Sequence, residues 1–171
     1  MSSAELLTDA FGRIRDNVHR AVSGLSADQL TARVDQDANS IGWLCWHLTR
    51  VQDDHVAGAF GVAQVWPAFM DRFGLPFGAG DIGYGHTSAQ VADVRVPSGD
   101  LLIDYHDAVH AQTVDLVAGV TDADLPKVVD EGWDPPVTLG VRLVSVISDG
   151  LQHVGQAAFV RGIVLRSARR G

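Results

Sequence analysis

From Leu139 to about Arg166 the chain offers one long helix whose flanks are too apolar to lie in water. Val141, Leu143, Val146, Ile147, Leu151, Val154, Val160 and Ile163 are among the residues that cover most of its circumference. A seam of Arg142, Ser145, Asp149, Gln152, His153 and Gln156 threads through them. An exposed face normally carries Lys and Glu, and this seam has neither. Such a helix needs other helices around it, and a lined interior site is the better reading of the seam, with a solvent face as the alternative that spacing alone leaves open.

Three more segments supply those helices. Leu6, Leu7, Ala10, Phe11, Ile14, Val18 and Val22 recur at helical spacing between about Ser3 and Ser23, with Gly24 as the stop. Leu25 to Leu30 reads as a capped short helix or turn. The second long helix begins at Asn39 or Ser40 and reaches about Phe60, with a stripe of Ile41, Leu44, Cys45, Leu48, Val51 and His55. The third follows Ser98 and runs to about Val120 on Leu101, Leu102, Tyr105, Val109 and Leu116. No stretch alternates as a strand. The expectation is all-α, an antiparallel four-helix bundle forming a single domain over residues 1–171. Residues 61–99 fit it less well. Their glycines and aromatics, as in Gly83-Tyr-Gly-His86, indicate a functional loop, a lid or partly ordered helix, with a short turn after His86.

Composition excludes several functions. A formal charge of −8 argues against a nucleic-acid partner, because phosphate binding needs a basic surface. No apolar run approaches the ~20 residues of a membrane span. The start, Met1-Ser-Ser-Ala-Glu5, lacks signal-peptide character, and one cysteine excludes an internal disulfide, so a cytoplasmic location is the default. Cys45 reads as a buried structural thiol, and the glycines of 74–85 lack phosphate-cradling spacing. The C-terminal arginines 166, 169 and 170 read as a solvated tail or a favourable helix end.

Asp149 and His153 are four residues apart, hence one turn apart on one face, and can serve one metal ion. His47 lies roughly 60° from the centre of its own helix stripe, at the edge of the bundle interior. There it can complete a three-ligand site with an open position. Taken alone, a histidine at that place is more often a hydrogen-bonded core residue. Asp54, two turns further along, can orient a ligand, hold a substrate group or simply face water. His106 and His110 form a rival His-x-x-x-His pair at the border of their core stripe. His55 is expected in the core and His86 in the loop over the site.

Trp43-Leu-Cys-Trp-His47-Leu-Thr-Arg50, Asp149-x-x-x-His153-Val-Gly-Gln156 and the following Arg161-Gly162 resemble the DinB superfamily. Within it the chain is similar to the actinobacterial DUF664 group, related to mycothiol-dependent enzymes. The resemblance covers nearly the whole chain, including Gly83-Tyr-Gly-His86 and Asp134-Pro-Pro-Val-Thr138. It implies a metal held by one histidine of the second helix and two ligands of the last, in S-transferases or isomerases that use thiols such as mycothiol or bacillithiol. It also implies a homodimer. The family's usual three histidines become His47, Asp149 and His153 here. A carboxylate still binds zinc, while its charge lowers Lewis acidity and shifts preference toward harder ions.

The resulting expectation is a metal-dependent thiol S-transferase or isomerase. Zinc is the first metal, nickel or manganese the alternatives, and the partners are a small-molecule thiol such as mycothiol and an electrophilic substrate. Arg142 would engage a carboxylate or polar group of cofactor or substrate, and Gln156 and Asp54 would support the ligands from behind. A non-catalytic metal- or ligand-binding bundle and a metal-dependent hydrolase use the same residues.

Overall fold

The computed structural model describes residues 1–167; Arg169 and Arg170 of the expected basic tail lie outside that range. Helix α1 (Ser3–Val22) starts on a reciprocal cap, the Ser2 hydroxyl taking the Glu5 amide and the Glu5 carboxylate taking the Ser2 amide. Ser26 and Gln29 repeat that device at α2 (Ala27–Thr31). Ser40 caps α3 (Ile41–Phe60), and Gly61 ends it in the left-handed conformation at φ +66°. A 3₁₀ turn (Trp66–Ala68), α4 (Met70–Phe73) and α5 (Ser88–Asp93) occupy the long connection. Ser98 caps α6 (Gly99–Val117), and α7 (Leu139–Ser167) closes the described chain.

One expectation needs correction. Strands β1 (Val128–Asp130) and β2 (Val137–Thr138) pair antiparallel just before α7. So few paired residues are too short to show a period of two, so no alternation marked them.

The side-chain contacts give the direction of each helix. Arg15 and His19 both reach Asp107, and Gly99 lies against the Val22 carbonyl, so α1 and α6 run antiparallel. His47 meets Asp149 and His153, while Asp54 and Arg142 line one cavity, so α3 and α7 are antiparallel too. Across these pairs the neighbours run parallel. Thr49 meets His106 and Gln52 meets Thr113 between α3 and α6. Gly150 packs on Ile14, and Arg161 donates to the Ala21 carbonyl, between α1 and α7. A chain leaving α3 must therefore travel back along the bundle, roughly 28 Å for a 19-residue helix, before α6 can begin. That return accounts for the long 61–98 connection.

Helix α3 is buried on every side from Ile41 to Asp53, not along a stripe alone. Fully buried Trp46, Leu44 and Leu48 join Phe11, Ile14 and Leu143 in the core, each contributing about 1.5–3 kcal/mol of burial. Arg50 and Asp53 are buried as well, and both bind the crossover. The Arg50 guanidinium donates to the Ala79 and Asp81 carbonyls, to the Gln64 side chain and to the Tyr105 hydroxyl. Asp53 accepts the Val65 and Trp66 amides and the Tyr105 hydroxyl. The connection is thus pinned to α3 as a fixed wall. His55, expected in the core, is instead half-buried beside Asp54 at 3.3 Å.

Candidate metal centre

The site sits midway along the antiparallel α3–α7 pair. His47, Asp149 and His153 each aim one ligand atom at a common point, and those atoms lie within 4.8 Å of one another. Among the described residues this is the one group of three or more His, Cys, Asp or Glu so arranged. The four-residue spacing on α7 supplies two of the three from successive turns.

Each imidazole already has its Nδ1 occupied. The His47 Nδ1 faces the Ile82 carbonyl, and the His153 Nδ1 lies 2.9 Å from the Asp149 carbonyl. A carbonyl only accepts, so both Nδ1 atoms carry the proton and both Nε2 atoms carry a lone pair. Burial pushes the His47 pKa below its ordinary value, with the Ile82 carbonyl and Asp149 acting the other way. A neutral ring is the form that ligates a cation. Asp149 lies in a half-buried position with Oδ2 shielded from solvent and, among the described residues, without a hydrogen-bond partner. A stranded carboxylate oxygen beside two lone-pair nitrogens is a donor set suited to a divalent cation.

Trp43 and the turn through Asp81, Gly83 and His86 hold His47 in place. Trp43 stacks on its ring at 4.6 Å and 14°, and His153 meets it edge-on at 4.8 Å. The Trp43 indole donates to His86 Nδ1 at 3.1 Å, so His86 presents Nε2–H to Asp81 at 3.0 Å. Asp81 also accepts the Gly83 amide, and this tight turn delivers the Ile82 carbonyl to His47. Gly83 has φ +87°, and a Cβ there would stand 2.9 Å from His47 Nδ1. Only glycine meets both conditions. The signal was the Gly83-Tyr-Gly-His86 run, whose glycines mark a forced turn but not its target.

The remaining candidates divide. Asp54 and Gln156, expected to steady the histidines, make no hydrogen bond to either ring among the described residues; the carbonyls of Ile82 and Asp149 meet the rings instead. Asp54 accepts the Gln64 amide at 2.7 Å, and Gln156 stands exposed one turn beyond His153. Arg142 bonds Asp130 at 2.6 Å, and with Asp54, His55 and Gln64 they line a polar cavity of about 330 Å³. On the other side of the triad Leu44 and Gln156 border an apolar cavity of about 430 Å³. A larger hollow of about 640 Å³ lies on the outer face of α1 among Asp9, Arg13 and Arg20, away from the triad's ligand atoms. Arg13 there is already paired with Asp9 at 2.7 Å, so the hollow reads as a solvated trough.

The rival pair does not assemble. His106 is fully buried, and its Nδ1 binds the Thr49 hydroxyl at 3.0 Å. Burial, then His110, push its pKa down to about 3. No third ligand joins the two histidines among the described residues. Cys45 is buried as expected, its thiol pushed up to about 12 by burial, which makes it a poor nucleophile.

No helix among the described residues is long and apolar enough to cross a membrane. No curated protein matches the chain. The crystal structure of a conserved locus protein from Enterococcus faecalis is similar, with a TM-score of 0.88 and 28% identity over 96% of this chain and 98% of that one. The model of the mycothiol-S-transferase family matches residues 6–164. With nearly its whole length inside that match, the chain belongs to the mycothiol-S-transferase family, of DinB-like fold.

Proposed function

We propose that the protein is a metal-dependent thiol S-transferase in which His47, Asp149 and His153 hold one divalent cation. Zinc is the first choice, with nickel or manganese as alternatives. The co-substrate is mycothiol or a similar low-molecular-weight thiol. The stranded Asp149 Oδ2 beside two histidines with occupied Nδ1 atoms carries this reading. The family's thiol chemistry supports it. When bound, the ion supplies the positive charge that strips the proton from a thiol at neutral pH.

The chain's own residues do the rest. His47 is held by Trp43 and the Ile82 carbonyl, so its lone pair needs no reorganisation. Asp149 contributes a negative charge where the family usually has a histidine, which favours a harder ion and tempers its acidity. The Arg142–Asp130 pair, with Asp54, offers donors and acceptors for the hydroxyl-rich body of a sugar thiol, about two turns from the ligands. In the transfer the sulfur forms a bond to the electrophilic carbon, the leaving group departs with its electron pair, and the thiol proton passes to water. We place the enzyme in the cytoplasm, in keeping with its single unpaired cysteine. We favour a homodimer, for which the exposed Val141, Val144 and Leu151 on the outer face of α7 supply an apolar surface.

The test is consumption of an alkylating electrophile by metal-loaded protein with and without added mycothiol. Thiol-dependent conjugation, lost in His47→Ala and His153→Ala proteins of unchanged helicity, is expected. Turnover that ignores the thiol would instead identify a hydrolase, and no turnover a binding bundle.

A further inference from the structure

The apolar cavity beside the triad has no role so far. Leu44 lies one turn before His47 on α3, and Gln156 one turn after His153 on α7, so the cavity begins about 5–6 Å from the ligand pair. Val34, Phe159 and Val160 supply most of its wall, with the Asn39 and Gln156 amides as its polar points. Val34 and Phe159 remain 45% and 67% exposed, so the cavity opens to solvent along an apolar rim. At about 430 Å³ the hollow falls in the range of small-molecule sites. The polar cavity of Asp54, Asp130 and Arg142 lies at the opposite end of the same α3–α7 groove.

We infer that this cavity binds the apolar body of the electrophilic substrate, an uncharged aromatic or alkyl compound with its reactive carbon toward the triad. The inference rests on the transferase reading and gives it a substrate class. The groove then has two ends: the hydroxyl-rich thiol lies along Arg142 and Asp130, the apolar electrophile against Leu44 and Phe159. Sulfur and carbon meet between them. The C–S bond forms there as the carbon–halide bond of a chloride substrate breaks, with chloride taking the electron pair. A concave site between two helices and the 33–39 loop suits a small molecule better than a second copy's helix.

Gly155 provides the test. It lines the cavity, and a Cβ added there meets nothing within 4 Å, so Gly155→Leu fills the space without touching the backbone. Leucine also favours a helix over glycine, so the variant should fold. Binding is read from amide shifts on titrating the unreactive 1-naphthol, and selectivity from mycothiol-dependent turnover of 1-(chloromethyl)naphthalene against 2-chloroacetamide. The expected result is naphthol-induced shifts around Gly155 that vanish in the variant. The naphthyl-over-acetamide ratio of kcat/KM should fall at least tenfold, with metal content equal in the two proteins.

Unmoved Gly155 and Phe159 amides, or an unchanged ratio, would overturn the inference. So would shifts that follow dilution rather than naphthol, because a second copy would then cover the cavity. Naphthol binding at Gly155 without thiol-dependent turnover of either chloride would uphold the cavity as a ligand site and count against the transferase reading alone.

Discussion

Two polar clusters lie a turn apart on α3 and meet opposite fates. Arg50 and Asp53 are fully buried, and carbonyls, amides, Gln64 and the Tyr105 hydroxyl satisfy them. His47, one turn earlier, reaches α7, where it joins a carboxylate whose shielded Oδ2 has no hydrogen-bond partner among the described residues. A closed network of buried charge does structural work, here tying the crossover to the bundle. An open one, left unsatisfied by the chain itself, is fitted to something the chain does not supply. The two are coupled through the loop, since Arg50 holds the Asp81 carbonyl next to the Ile82 carbonyl that orients His47.

Breaking the closed cluster should have the largest effect on stability. Asp53→Ala leaves the buried Arg50 charge uncompensated and removes the acceptor for two loop amides. A loss of about 3–5 kcal/mol in urea denaturation is expected. A smaller effect, specific to the open cluster, should follow from Gly83→Ala. Its Cβ would crowd His47 Nδ1 and strain a φ of +87°, weakening metal affinity some 10- to 100-fold by competition titration.

A third prediction concerns the buried histidine that binds no metal. The folded protein refuses a proton at His106 until about pH 3, whereas the unfolded chain accepts one near the ordinary 6.5. Stability should therefore be intact above pH 6.5 and fall by about 1.4 kcal/mol per unit as pH drops through that window. His106→Leu, which leaves the Thr49 hydroxyl its bond to the Cys45 carbonyl, should flatten thermal unfolding against pH. The smallest effect sharpens the contrast with Asp53. In metal-free protein Asp149→Asn should shift unfolding by less than about 1 kcal/mol, because no hydrogen bond to Oδ2 is lost.

Much of this was legible in the sequence, and the reasons differ by region. Caps and periodicity placed the four long helices, because Ser40 and Ser98 next to apolar repeats leave little else to form. The i, i+4 pair Asp149 and His153 pointed at the site for the same geometric reason. The crossover wall was hidden, since it depends on helix directions that periodicity does not encode. The role of Asp53 was hidden too, because its partners are backbone amides more than ten residues away in the chain. The carbonyls that orient the two histidines were equally invisible. Every residue has a carbonyl, and only the fold says which one a ring nitrogen meets. His106 and His110 looked the better metal pair by motif, yet no third ligand joins them among the described residues, His106 being buried in the core and His110 half-buried at its edge.

The most direct measurement is elemental analysis of protein purified without a tag or added metal, beside His47→Ala and Asp149→Ala. About one divalent ion per chain in the wild type, lost in both variants while far-ultraviolet circular dichroism stays the same, is the predicted result. Full metal content in either variant, or none in the wild type even after reconstitution with zinc, nickel or manganese, would contradict it.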